Sequence, residues 1–223
     1  MSQLTLAERA ETLGVPLGAE QVRRLEAYLD AVLEINKSLN LTAVRDRDDA
    51  VLRHLLDSLT VVPVWHAVAG AAPPRRVLDL GTGGGFPGAV LAVAWPASRV
   101  LMIDGTGKKV RAVTACLAQA GIVNAQALQV RGNDLPKARP GSRGASDLCV
   151  ARAVGPAEEL VRELAPLTAP RGFVFLMKGP KTSIGEIEAG EREAKLRGLV
   201  AQPAHVVDVP GLEARKMLVY RKG

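Results

Sequence analysis

The sequence predicts an α/β fold: a largely parallel sheet with helices on both faces and an N-terminal helical extension. Short apolar runs alternate with helical segments from Arg76 onward, a glycine-rich loop separates the first such run from the next helix, and residues before 72 show only helical spacing. Strands that alternate with helices need crossover connections, and these cover both faces of a parallel sheet.

In the N-terminal part, residues 4–13 and 20–36 are predicted as helices. Val22, Leu25, Tyr28, Leu29, Val32 and Leu33 recur at three- and four-residue steps and so share one face. Helical spacing returns over 48–69, with an interruption expected near Pro63, and Ala71-Ala72-Pro73-Pro74 ends it. The chain therefore divides into an extension, 1–72, packed on a domain of 73–223, the two forming one compact unit. In the domain, Arg76–Leu80, Val100–Asp104, Ala125–Val130, Asp147–Ala151 and Gly172–Met177 are predicted strands. Gly88–Trp95, Lys108–Ala120, Pro156–Leu167 and residues 183–197 are predicted helices, and Pro136–Ala145 a surface loop. Ala204–Val209 and Lys216–Tyr220 flank Pro210-Gly211 as a terminal hairpin, an antiparallel edge that brings the sheet to seven strands.

At 223 residues and 48% hydrophobic content the chain can bury one sizeable core, but with 3% aromatics that core rests on Leu, Val, Ala and Ile. A net charge of +6 suits a polyanionic partner without requiring one. Cys116 and Cys149 sit among apolar residues and supply neither a disulfide framework nor a zinc set. Two buried thiols in a reducing compartment is the reading, with no metal. No apolar stretch approaches the roughly 18 residues of a membrane span, and the first residues lack a basic segment followed by an apolar one. A soluble, cytoplasmic monomer is expected.

The chemistry is concentrated in Asp79-Leu-Gly-Thr-Gly-Gly-Gly-Phe-Pro-Gly88. Gly81, Gly83, Gly84 and Gly85 remove side chains, so backbone amides at a helix start can approach a ligand. A dinucleotide fingerprint counted from Gly81 would need glycine where Phe86 stands. The spacing Asp79-x-Gly81-x-Gly83-x-Gly85 is instead similar to the first motif of S-adenosylmethionine (SAM) methyltransferases. Asp104 ends the second strand nineteen residues beyond Gly85, where a carboxylate can accept both ribose hydroxyls of an adenosine cofactor. A plain turn at the glycines and a helix cap at Asp104 are the structural alternatives.

A wider set of residues points to one family. Asn36-Lys37-Ser38-Leu39-Asn40-Leu41-Thr42 and His54-Leu55-Leu56-Asp57-Ser58-Leu59 precede a loop that ends Phe86-Pro87-Gly88. Asp104 with Lys108-Lys109, Arg152-Ala153 and Lys178-Gly179 follow in order. Together these closely resemble the bacterial glucose-inhibited division protein B family, the 16S ribosomal RNA guanine-N7 methyltransferases, from about residue 20 to the end. The resemblance implies a Rossmann-like, seven-stranded SAM-methyltransferase sheet with SAM as cofactor and 16S rRNA in the small ribosomal subunit as partner. It implies cofactor contacts from Asp79, Gly81, Gly83, Gly85, Phe86, Asp104, Gly105, Thr106, Gly132, Asn133 and Arg152. Asn36–Thr42 and His54–Ser58 would fold over the catalytic face. Two positions depart from the family: Ile35 stands where it usually has Trp, and Arg131-Gly132-Asn133 where it has Arg-Ala-Glu. The second change removes a carboxylate near the adenine, and Asp134 stands one place along.

Guanine N7 carries a lone pair and no proton, so methylation needs orientation rather than a general base. A cation can address O6 beside N7. Arg152 and Lys178, each at a strand's C-terminal end, are the catalytic positioning candidates, with ordinary ion pairs as the competing role. Lys37, Asn40, Arg45, Arg53, Lys178, Arg215 and Lys216 are candidates to meet RNA. For Arg45, Arg47 and Arg53, a solvated helix face beside Asp46, Asp48 and Asp49 is the alternative. His54 reads as a packed histidine rather than a catalyst. Other readings stay open: a SAM enzyme acting on another RNA or a small molecule, a non-catalytic SAM- or RNA-binding paralogue, and an NAD-dependent oxidoreductase.

Overall fold

A computed structural model describes residues 4–223; residues 1–3 of the expected extension lie outside the described residues. Helix α1 (Leu6–Thr12) begins with a capping box, in which Thr5 Oγ1 accepts from the Glu8 amide and the Glu8 carboxylate from the Thr5 amide. Helix α2 (Ala19–Leu39) buries Leu25, Tyr28, Leu29 and Val32, as its spacing predicts, and ends at left-handed Asn40. A second helical run comprises α3 (Arg47–Ala50), a π-helical segment Val51–Leu56, α4 (Asp57–Leu59) and α5 (Val61–Ala69). Contrary to expectation, Pro63 does not interrupt it. The break falls at Thr60, and Pro63 sits in the first turn of α5, where a missing N–H loses no intrahelical bond.

The sheet follows. Strands β1 (Arg76–Leu80), β2 (Arg99–Asp104), β3 (Ala125–Gln129), β4 (Ser146–Arg152) and β5 (Thr168–Lys178) are parallel in the order β3-β2-β1-β4-β5. Crossovers carry helices α6 (Gly88–Ala94), α7 (Gly107–Gln119), α8 (Leu135–Ala138) and α9 (Ala157–Leu164), and α10 (Ile184–Leu196) follows β5. Helix α9 stops three residues short of the expected Leu167, because Pro166 has no N–H to carry the hydrogen-bond ladder past Ala165, whose own backbone is still helical. Strand β5 accordingly starts at Thr168 rather than Gly172.

The expected hairpin is present but incomplete as a description. Strands β6 (Leu199–Ala201) and β7 (His205–Val207) both pair antiparallel with β8 (Arg215–Lys222), which itself lies antiparallel to β5. Leu199 faces Lys222 at one end of β8 and Val207 faces Arg215 at the other. Pro203 stands in the gap, where it has no N–H to give the ladder. Among the described residues the sheet thus holds eight strands in seven positions, the outermost position being split.

Two apolar layers flank it. One joins Leu25, Tyr28, Leu55 and Leu59 of the N-terminal helices to Leu91, Val113 and the Val150 and Phe175 side of the sheet. The other packs Leu160, Val161 and Leu164 of α9 on Leu78, Ile103 and Leu176. Burial pushes the Cys149 thiol up to about 12 and that of Cys116 to about 11, so both behave as apolar filler. Among the described residues, no helix is long and apolar enough to cross a membrane.

Candidate active site

The C-terminal ends of the parallel strands gather Gly81 after β1, Asp104 at the end of β2, Arg152 at the end of β4 and Lys178 at the end of β5. This is the edge where open α/β sheets bind ligands. The glycine loop is braced from below by Asp79, which is fully buried. One of its oxygens accepts from Thr82 Oγ1 at 2.5 Å and from the Gly88 amide at 2.9 Å, while the other has no partner. Burial raises its carboxyl to about 6, against the pull of those two bonds. Asp104 ties the loop from the side. Its Oδ2 accepts from the Gly83 amide at 3.1 Å and its Oδ1 from the Thr106 amide at 2.8 Å. Gly81, Gly83 and Asp104 are all partly exposed, so a shallow cradle of backbone and carboxylate opens there.

Gly85 and Phe86 face the other way. A Cβ on Gly85, at φ +91°, would overlap the Tyr28 hydroxyl, which donates to Gly84 O at 3.0 Å. Phe86 is buried between Tyr28, edge-on at 5.6 Å, and His54, stacked at 4.6 Å. These two positions therefore anchor the loop to the N-terminal helices.

That anchor is one end of a polar chain. The Asn36 amide donates to the Thr42 and Val44 carbonyls and its oxygen accepts from the Thr42 amide, closing the turn after α2. Thr42 Oγ1 lies 2.7 Å from His54 Nε2. On the far side of the ring, Arg152 Nη2 approaches Nδ1 at 3.5 Å. An arginine only donates, so Nδ1 accepts and Nε2–H donates to Thr42. Burial and the Arg152 charge lower the His54 pKa to about 4, which keeps the ring neutral. Arg152 Nη1 also donates to the Arg53 carbonyl at 2.8 Å and to Asp57 Oδ2 at 3.0 Å. The other Asp57 oxygen sits 3.4 Å from Arg215 Nε without hydrogen-bond alignment. One buried carboxylate thus serves two arginines of the same sheet edge, one on β4 and one on β8, the strands flanking β5.

The remaining residues separate into groups. The β5–β8 register puts Lys178 opposite Lys216, next to Arg215. Lys178 Nζ donates to the Gly155 carbonyl at 2.6 Å and pairs with Glu186 at 2.7 Å, so its ammonium is already committed. Lys37 pairs with Glu34, Arg47 with Asp30 and Arg53 with Asp49, and Arg45 donates to Asn40. All are exposed; those of Lys37 and Arg53 lie within one helical turn, while the Arg47–Asp30 pair joins α3 to α2. Gly105, Thr106 and Asn133 are exposed beyond Asp104.

Glu163 is a residue that the sequence did not single out. Its carboxylate accepts from the Asn133 amide at 3.2 Å and fills the space a Cβ on Gly132 would take. A carboxylate therefore does stand beside this loop, delivered by α9, while Asp134 is exposed. A glycine at 132 was the available signal, but its partner lies 31 residues away in sequence and no local pattern links them.

Sheet order and glycine loop together define the class I methyltransferase fold. Solved structures agree at that level: a putative sarcosine dimethylglycine methyltransferase from Galdieria sulphuraria superposes with a TM-score of 0.58 at 14% identity, over 80% of this chain and 88% of that one. A ribosomal protein L11 methylase from Lactobacillus delbrueckii gives 0.56 at 18% identity, over 75% and 80%. A family model described as rRNA small subunit methyltransferase G matches residues 21–215, and the chain belongs to that family. Proteins named ribosomal RNA small subunit methyltransferase G are similar along nearly the full length. That of Leptothrix cholodnii is 34% identical over 98% of this chain and 94% of its own, and that of Pseudomonas aeruginosa 36% over 97% and 94%.

Family and fold imply SAM as methyl donor, and the residues present fit it. The Asp104 carboxylate retains lone pairs beyond the two backbone bonds it accepts; Gly81 and Gly83 add no Cβ to the cradle, and the exposed Val154 side chain stands in the space a Cβ on Gly81 would take.

Proposed function

We propose that this protein transfers a methyl group from SAM to N7 of a guanine in 16S rRNA, on the small ribosomal subunit or an assembly intermediate. SAM supplies an electrophilic methyl on a sulfonium. Asp104 would accept from the ribose hydroxyls, the backbone of Gly81 and Gly83 would line the methionine side, and Gly105, Thr106, Gly132 and Asn133 would border the adenine. The observation that carries the reading is the Arg152 guanidinium, held at the end of β4 by Asp57 and the Arg53 carbonyl, across from the Asp104 cradle. From that place it can donate toward guanine O6 or a neighbouring phosphate and fix N7 for in-line attack. Arg152 is only partly exposed, so a hydrogen bond it makes there is poorly screened. N7 needs no deprotonation, and His54, neutral with both nitrogens engaged, serves to hold Arg152 rather than move protons. Lys216 adds positive charge along the same rim, where Lys178 and Arg215 stand against Glu186 and Asp57.

The test is transfer of labelled methyl from SAM to small subunits lacking the modification, followed by mapping of the modified base. Label on a guanine N7 of 16S rRNA supports the reading; label only on other RNAs or small molecules, or SAM binding without transfer, overturns it.

A further inference from the structure

A sizeable cavity lies away from the cofactor edge. It lies at the opposite edge of the sheet, where β1, β2, β3 and β4 begin, and encloses about 900 Å³. Arg75, Arg76, Arg99 and Arg139 line it, and no Asp or Glu does. Among the described residues, none of these four arginines is in an ion pair, in contrast to Arg23, Arg24, Arg47 and Arg53 of the N-terminal helices. Arg139 donates to Gln126 Oε1 at 3.2 Å, which orients its guanidinium without neutralising it.

The walls are built rather than loose. The Asn124 amide donates to three carbonyls, those of Ala92, Trp95 and Ser98, and Ser98 Oγ donates to the Pro74 carbonyl at 2.5 Å. The Arg99 amide donates to the Arg75 carbonyl and the Arg76 amide to Asp147 Oδ2. Arg75, Arg76 and Arg99 are thus held at their backbones, and Arg139 by its side chain, around a common space. Ser142 is the independent sign of a ligand. It lines the same cavity, is 9% exposed, and its hydroxyl has no hydrogen-bond partner. A buried hydroxyl without a partner destabilises a fold unless something else satisfies it.

We infer that this cavity is a second RNA contact, a site for the phosphate backbone of the substrate RNA on the side of the sheet away from the methyl-transfer cleft. The inference rests on the reading that the substrate is RNA. Arginine forks match phosphate oxygens in pairs, and the Ser142 hydroxyl adds a neutral donor between them. Strand β1, five residues long, separates the two edges by about 17 Å at ~3.3 Å per residue. A folded RNA can present phosphates at both, which would clamp the protein in one orientation on the subunit.

The experiment compares wild type with the triple variant Arg75→Ala, Arg99→Ala, Arg139→Ala and with Ser142→Ala, using small subunits that lack the modification. Binding is measured across a salt series, and methyl transfer across a subunit series. The triple variant should bind ~10- to 100-fold more weakly at low salt, with the slope of log affinity against log salt reduced by about 2–3 for three lost phosphate contacts. The loss should fall in KM rather than kcat. Ser142→Ala should bind several-fold more weakly with no fall in melting temperature. Unchanged affinity and slope in the triple variant overturn the inference. It is also overturned if ATP or inorganic triphosphate binds wild type calorimetrically, loses binding in the triple variant, and subunit binding is unaffected. If wild type binds subunits but transfers no methyl, the proposed reaction fails while the binding comparison still decides this site.

Discussion

The His54 imidazole lies flat on the Phe86 ring, centroids 4.6 Å apart and planes 13° from parallel. One ring belongs to the π-helical segment of the N-terminal extension and the other to the glycine loop, so this contact fastens the extension to the cofactor edge. Arg152 leans on the same stack, its guanidinium carbon 5.7 Å from the Phe86 centroid. The consequences can be measured.

Arg152→Ala should reduce kcat/KM for small subunits by at least 100-fold, with SAM affinity, read by calorimetry, much less affected. It should also lower stability by about 3 kcal/mol in denaturant unfolding, because it leaves the buried Asp57 carboxylate with only the unaligned Arg215 beside it. Arg152→Lys should recover much of the stability and little of the activity, since an ammonium cannot reach Asp57, the Arg53 carbonyl and a substrate acceptor together. Unchanged transfer in Arg152→Ala would remove Arg152 from the reaction.

Acid should act on two groups in opposite directions. His54 has a depressed pKa, about 4 against an ordinary 6.5. The unfolded chain therefore binds more protons between those values, and stability is lost as pH falls through that window. Asp79 is raised from 3.8 to about 6. Its folded form takes up the proton first, so its contribution improves as pH falls through 6. In His54→Gln only the Asp79 effect remains. Relative to wild type, the variant should gain stability between pH 6.5 and 4.5, by up to about 3 kcal/mol at ~1.4 kcal/mol per pKa unit. Parallel melting curves for the two proteins across that range would refute the assignment.

Gly85→Ala should be among the most destabilising single-methyl changes in the chain, at about 3 kcal/mol or more. It combines a left-handed backbone with overlap of the Tyr28 hydroxyl. Tyr28→Phe, which removes only the bond to the Gly84 carbonyl, should lower stability by about 1 kcal/mol. Thermal unfolding of both variants checks the pair, and a mild Gly85→Ala phenotype would contradict the packing described.

Gly132 and Glu163 should be coupled. Gly132→Ala pushes the Glu163 carboxylate off the Asn133 amide and should weaken SAM binding several-fold. Adding Glu163→Ala should make the alanine at 132 harmless, so the double-mutant cycle gives a coupling of about 1 kcal/mol or more. Independent effects would mean the carboxylate does not order this loop.

Asp104→Ala should weaken SAM binding ~10- to 100-fold while shifting the melting temperature of the SAM-free protein only slightly, since Asp104 is partly exposed. Calorimetry on the folded variant checks this. Retained affinity would assign Asp104 to capping the turn before α7.

The sequence by itself determined the sheet, the loop and the family, because each is written in local pattern. Alternating apolar runs and helical segments specify crossovers, and the apolar stripe of α2 specifies which face is buried. Glycine spacing with Asp104 marked the cofactor edge, and the Asn36–Thr42 and His54–Ser58 motifs were visible as strings. What those strings do was decided only in three dimensions. Hydrogen-bond partners such as Arg152 and Asp57, 95 residues apart, leave no periodic trace. The same holds for Tyr28 at Gly84 and for Glu163 at Asn133. Pro63 misled as a local signal because its effect depends on its distance from a helix start, which packing fixed at Thr60. The split edge at β6 and β7 was hidden for a related reason: three-residue strands carry almost no alternation, and only the β8 ladder reveals them. At the far edge, parallel register sets Arg76 beside Arg99 and α8 brings in Arg139, positions that no local pattern links.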